Sequence, residues 1–427
     1  MAETKPLLGE GDECQSEDGP NRPFSTTKTL LRGRDDHRLV SLDVFRGLSV
    51  FLMTFVDYAG SIFPTIAHCP WNGLRLADCV MPFFLFVSGV SLALVYNNKD
   101  VSDRRSSTWK VVSRTFNFFL IGIFLQGGFL HGITSLTYGV DIERLRWLGI
   151  LQRIAIGYIV AALLEIWNPY GKRKGVGFFM NYIWHWATAF ALCTTYMGLL
   201  YGLYVPDWQF SIPQSATLND SNKSYIYKVK CNVRGDMGPA CNSAGMIDRI
   251  ILGIGHLYAK PVYRNLEECR ISDPPSWCHA PYEPEGILSS LTAAVTCIIG
   301  LHYGHVLVQM KEHKERLYNW SILSFPLLCL GLFLALLGIP LNKSLYTISY
   351  MLVTSATAGI TFSILYLLVD VYGWRKIFFV LEWMGKHSLC IFILVTSNVA
   401  VILIQGFYLG TPDKNIVHYI VTRVVHK

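Results

Sequence analysis

Apolar stretches of about 20 residues recur along this chain, and that length is what an α-helix needs to cross roughly 30 Å of hydrocarbon. Inside lipid every backbone amide must be satisfied within its own segment, so only helices or closed barrels can span. The apolar runs are continuous and do not alternate with period two, which excludes an outer-membrane barrel. With 52% apolar residues among 427, the chain reads as all-α, a polytopic helical membrane protein.

Nine spans are expected, at about 40–57, 76–96, 115–131, 147–167, 183–204, 286–308, 320–339, 348–371 and 387–409. Lys99, Arg104, Arg105, Lys110 and Arg114 follow the second span, and Lys172, Arg173 and Lys174 follow the fourth. Lys311, Lys314 and Arg316 follow the sixth, and Arg375, Lys376 and Lys386 follow the eighth. The alternate loops hold only Arg75, Arg144, Arg146 and Lys343, so the basic face is cytosolic together with the N-terminus. Those scattered loop cations account for the net charge of +7 and exclude a nucleic-acid surface; the lipid bilayer is the first expected partner.

Residues 1–38 are polar and carry no apolar segment of the signal-peptide kind, so they read as a disordered cytosolic tail. Glu3, Leu7 and Leu8 within them match an acidic dileucine address for lysosomes or vacuoles. Residues 39–409 form the expected transmembrane domain, including a lumenal loop at 205–285, and 410–427 a lumenal C-terminal tail. In the loop, Asn219-Asp-Ser and Asn222-Lys-Ser are glycosylation sequons, and Asn342-Lys-Ser falls on the same side. Cys231, Cys241, Cys269 and Cys278 also sit in the loop, in an oxidising compartment. Three pairings are open to them, of which 231 with 241 and 269 with 278 is expected. A zinc site is the rival reading, though neither pair has the short spacing that zinc favours.

The segment from 37 to 96 holds the candidate chemistry. Asp43 and Arg46 share a helix face in the first span, and charges at such a depth mark function by default. Between the first two spans lies a short loop with His68, Trp71 and Asn72, flanked by Asp57 behind and Asp78 ahead. An imidazole titrates near neutral pH, so His68 is the candidate general base or, alternatively, a covalent carrier, with a carboxylate to orient it and the Asn72 amide or backbone N–H groups at the start of the second span as donors to a developing oxyanion. Cys69 and Cys79 flank this set and read as small packing residues. Arg153, early in the fourth span, either holds a phosphate or pairs with a carboxylate such as Asp43. Asp248-Arg249 with His256 precedes the sixth span, and Glu285 marks its entry. No P-loop, GxSxG elbow, HExxH or HxxxxD element is present, and no metal is expected.

The runs SLDVFRG, AHCPWNGLRLADCVMPFFLFVSG, RWLGILQRIAIGY, GPACNSAGMIDRIILGIGHLY, APYEPEGILSSLTAAVTCIIGLHYGH and IPLNKSLYTISYML, in this order over residues 38–400, resemble the heparan-alpha-glucosaminide N-acetyltransferase family, and plant-type members most. The resemblance implies transfer of acetyl from cytosolic acetyl-CoA to a lumenal amino-sugar or polysaccharide acceptor, in a lysosomal or vacuolar (tonoplast) membrane, with a homodimer as the expected assembly. It maps the catalytic histidine onto His68, as general base or acetyl carrier. It also implicates the position of Asp57, an asparagine in animal members, so that a carboxylate orienting His68 is expected here. Arg46, Asp78 and Arg153 are the expected acetyl-CoA contacts. The family's last span is expected to be missing. Two other readings remain open, a transporter for a small anionic or sugar solute and a polysaccharide O-acetyltransferase.

Overall fold

The computed structural model describes residues 39–60, 63, 65–96, 104–126, 130–131, 137–138, 145–168, 181–213 and 224–397. The tail at 1–38, the sequons at Asn219 and Asn222, the expected last span beyond 397 and the tail at 410–427 lie outside the described residues. What is described is a helical body with a small, disulfide-bonded cap. The body contains α1 (Val40–Ala59), α2 (Leu76–Tyr96), α3 (Arg104–Gln126), α4 (Ile150–Ile166) and α5 (Ile183–Gly202). After the cap come α7 (Ile287–Gln309), α8 (His313–Leu336), α9 (Ile348–Tyr366), which runs on as a π turn to Val371, and the short α10 (Phe379–Lys386) and α11 (Ser388–Thr396).

Where nine spans were expected, four described helices are long and apolar enough to cross a membrane: α2, α7, α8 and α9 with its π turn. The pair α10–α11, bent by 76°, makes a fifth if it acts as one span. The others fall short for local reasons. Helix α1 carries Asp43, Arg46 and Asp57, α3 opens on Arg104 and Arg105, and α4 has only 17 residues.

Helix α7 is buried along almost its whole length, as an all-round apolar helix must be at the centre of a bundle. Its seam with α2 includes points where main chain meets main chain. A Cβ on Gly300 would fall 2.1 Å from the Phe86 carbonyl oxygen, and one on Gly89 would fall 2.0 Å from that of Cys297. Small residues four apart let two backbones touch, and here Gly300 and Gly304 do so. Phe45, Phe86 and Phe362 fill the space beside this seam, with Trp320 on Phe362 at 5.1 Å. Helix α8 turns Phe325, Leu330, Leu332, Phe333 and Leu336 outward, a face suited to lipid.

The cap is built from the antiparallel hairpin β4 (Trp208–Pro213) with β5 (Ser224–Val229), the pair β3 (Tyr204–Val205) with β6 (Val233–Arg234), helix α6 (Ser243–Ile251) and several 3₁₀ turns. A two-residue pair, β1 (Leu130–His131) with β2 (Thr137–Tyr138), lies earlier, between α3 and α4. Disulfides join Cys231 to Cys241 and Cys269 to Cys278, the expected pairing. Trp71, Tyr196, Leu200, Tyr263, Tyr282 and Leu345 form one buried cluster that fastens the cap to the helices.

One expectation is corrected here. Asn342 is fully buried, its amide donates to Asn72 Oδ1 at 3.1 Å, and its own Oδ1 accepts from the Leu345 amide at 2.9 Å. A glycan cannot occupy that nitrogen in the folded protein. Ser344→Ala, which erases the sequon, is expected to leave the mass of the secretory-pathway product unchanged apart from the substitution, as read by intact mass spectrometry.

Candidate active site

The loop after α1 returns to the start of α2, where Asp78 sits in the first turn with its side chain fully buried. Asp78 Oδ1 lies 2.9 Å from His68 Nδ1, and Oδ2 accepts the backbone N–H groups of Cys69 at 3.2 Å and Arg75 at 3.1 Å. One carboxylate thus fixes both the ring and the loop that carries it. The imidazole itself is about one-third exposed.

A second loop, between α8 and α9, brings Lys343 to the same ring. Lys343 Nζ is 3.0 Å from His68 Nδ1, 3.5 Å from His68 Nε2 and 3.8 Å from Asp78 Oδ1. The delivery is structural: Asn72 and Asn342 form a β-bridge, and the Gly73 amide donates to the Leu341 carbonyl at 2.7 Å. Gly73 has φ +128°, a conformation that only glycine adopts without strain, and a Cβ there would fall 2.7 Å from the Cys69 sulfur. Burial depresses the Lys343 ammonium below the usual lysine range, against the pull of Asp78 and Glu285.

His68 and Lys343 line a cavity of about 350 Å³ together with Asp57 and Glu285. Its remaining walls are largely apolar: Met53 and Val56 from α1, Val80 and Phe84 from α2, Ile150 from α4, Phe392 and Val395 from α11. Four ionisable groups at one end of an apolar chamber are costly unless used. Glu285 is held by Arg146 at 2.5 Å, and Arg146 also grips Glu283 through Nε at 2.8 Å and through a second, shorter bond. Burial pushes Glu285 upward, yet Arg146, Arg153 and Lys343 outweigh it and hold the carboxyl below the usual range.

The sequence candidates divide clearly. His68, Asp57 and Asp78 come together, but Asp78, expected at the co-substrate, is instead the group that orients His68. Asp57, expected in that orienting role, lines the cavity and acts on His68 and Lys343 through space. Asn72 turns away into a different cavity on the cap side, and its side chain is engaged by Asn342. Arg46 bonds to Ser91 and lies 3.4 Å from Asp43, and it does not line the His68 cavity. Arg153 is buried on Pro284 O and Ser289 Oγ with its guanidinium over the Tyr346 ring at 5.3 Å, so the pairing with Asp43 is not made. Lys343 and Glu285 were legible only as a loop cation and a span entry.

Behind the cavity, Asp248 accepts the Ile287 N–H at 2.9 Å and so caps α7 from another helix. Burial, helped by Glu283, pushes its carboxyl up to about 7, although Ile287, Arg153 and Arg249 oppose this. A raised carboxyl stabilises the fold fully below its unfolded value near 3.8, and that stability is lost as pH rises through about 7. The melting temperature is therefore expected to be higher at pH 5 than at pH 8, and Asp248→Asn is expected to flatten the difference in a pH series of thermal melts.

No protein-family model matches the chain. It is similar to the heparan-alpha-glucosaminide N-acetyltransferase of Mus musculus, 30% identical over 356 residues that cover 79% of this chain and 50% of the relative. To the protein of that name from Homo sapiens it is 28% identical over 391 residues, 86% of this chain and 53% of the relative. The chain thus spans about half the length of the curated relatives it matches.

Proposed function

We propose that this chain, a homologue of the heparan-alpha-glucosaminide N-acetyltransferases over its helical body, is itself a membrane acetyltransferase that moves acetyl from acetyl-CoA to the amine of an amino sugar. The observation that carries this reading is the His68–Asp78–Lys343 cluster at the polar end of an apolar cavity. Acetyl-CoA supplies an activated thioester, and the chamber's chemistry suits it: apolar walls for a slender arm and a cation where its carbonyl would gain charge. His68 donates Nδ1–H to Asp78, which leaves Nε2 as the basic nitrogen of the ring. As the acceptor nitrogen forms its bond to the acetyl carbon, Nε2 takes the proton released from nitrogen. The carbon–sulfur bond breaks, and the departing thiolate takes that proton back from Nε2, which returns the ring to its neutral form. Lys343 stands beside the ring, where its ammonium form stabilises the oxyanion.

The rest of the assignment follows from the same reading. The cap with its disulfides faces the lumen of a lysosome or vacuole, the N-terminus faces the cytosol, and the acetyl group arrives from the cytosolic side. The test uses purified protein in detergent with radiolabelled acetyl-CoA and glucosamine. Label in N-acetylglucosamine with matching release of free thiol is expected. Uptake of sugar into vesicles without thiol release would replace the enzyme reading with the transporter, and label on hydroxyl oxygen would make it an O-acetyltransferase.

A further inference from the structure

The cap side of the histidine loop carries a second cavity, of about 450 Å³, that the reaction above does not use. Its walls include Trp71 and Asn72, two and three residues beyond Cys69, together with Asp236, Glu268 and Trp277. Resting on the acetyltransferase reading, we propose that this groove binds the sugar next to the one being acetylated, and that it takes a protonated, unsulfated amino sugar.

Three observations carry the proposal. The first is placement: His68 lines one cavity and Pro70, two residues on, begins the lining of the other, so one loop forms a wall of both. The second is construction. Glu268 and Trp277 each precede a cysteine of the Cys269–Cys278 disulfide, and the turn holding Asp236 lies inside the loop closed by Cys231 and Cys241. The groove walls are therefore held by both covalent links of the cap. Trp71 adds to this by donating its indole N–H to the Met237 carbonyl at 2.8 Å, with Tyr263 and Tyr282 edge-on to its ring. The third is charge: two carboxylates and two indoles line the groove, and no basic side chain does. Asp236 accepts the Gly238 N–H at 2.9 Å through Oδ1, which leaves its other oxygen and the Glu268 carboxylate for an ammonium sugar, whereas a sulfate meets two carboxylates and no cation among the described lining residues.

The experiment compares glucosamine with its β-linked disaccharide, and with a sulfated disaccharide, as acceptors of the full chain. Wild-type protein is expected to use the free disaccharide better than the monomer, and the sulfated one worse. Glu268→Gln and Trp277→Ala are each expected to lower the ratio of disaccharide to monomer kcat/KM by about tenfold. A ratio unchanged in both variants, or equal use of the sulfated disaccharide, would overturn the proposal. Binding of labelled disaccharide by equilibrium dialysis to the His68→Ala protein reads the groove without turnover. Should no acceptor be acetylated by wild type, disaccharide bound there and weakened about tenfold by Glu268→Gln keeps the groove while discarding the enzyme; no binding discards the groove itself.

Discussion

The His68→Ala protein is expected to fold and to have lost acetyl transfer by about a thousandfold, the scale of a missing general base. Folding survives because the ring is about one-third exposed and, among the described residues, its polar neighbours are Asp78, which accepts its hydrogen bond, and Lys343 beside it. The loop stays closed because the backbone of Cys69 and Arg75, not the imidazole, is what Asp78 Oδ2 holds. The loss is expected in kcat, with the KM for acetyl-CoA little changed, since the apolar walls proposed to receive its arm are untouched. Radiolabel transfer with matched melting curves checks this, and activity within a few-fold of wild type would remove His68 from the chemistry. Asp78→Asn makes the useful contrast. It keeps the shape and most of the hydrogen bonds but no longer favours a protonated Nδ1, so rate is expected to fall while the loop remains.

Arg146→Met is expected to destabilise the protein by about 3–5 kcal/mol, because it strands buried carboxylates that the guanidinium now satisfies. Glu283 is 1% exposed and Glu285 is 7% exposed, and Arg146 bonds to both at once. Removing all three charges together, as Arg146→Met with Glu283→Gln and Glu285→Gln, is expected to recover a large part of that loss, since the cost lies in the unpaired charge and not in the missing contact. Thermal unfolding in one detergent, single variant against triple, makes the comparison. A single variant within about 1 kcal/mol of wild type would show that water or lipid headgroups already satisfy the pair.

Much of the helical order was readable because apolar length is a local property. The segments expected at 76–96, 183–204 and 286–308 match α2, α5 and α7 within two residues at each end. The disulfides were readable for the same reason: each joins cysteines ten or nine residues apart. His68 with Asp78 is likewise a contact over ten residues. What escaped was long-range. Lys343 reaches His68 across 275 residues, and nothing in the composition of its own loop distinguishes an active-site amine from a surface one. Asn72 and Asn342 looked like an oxyanion donor and a glycan acceptor because each was judged by its immediate neighbours, while their real partner is each other. Arg153 followed the same course, since buried guanidinium groups take whichever carbonyls the fold supplies, here that of Pro284.

The backbone contact between α2 and α7 has a mechanical meaning. Where α2 and α7 meet main chain to main chain at Gly89 and Gly300, neither helix can take a larger residue without being pushed apart from the other. The turn bearing the imidazole is anchored to the first turn of α2 through Asp78. Beyond the 76° bend between α10 and α11, Phe392 and Val395 close the chamber's wall, so an enlarged or shortened side chain at either position changes the chamber without touching that seam.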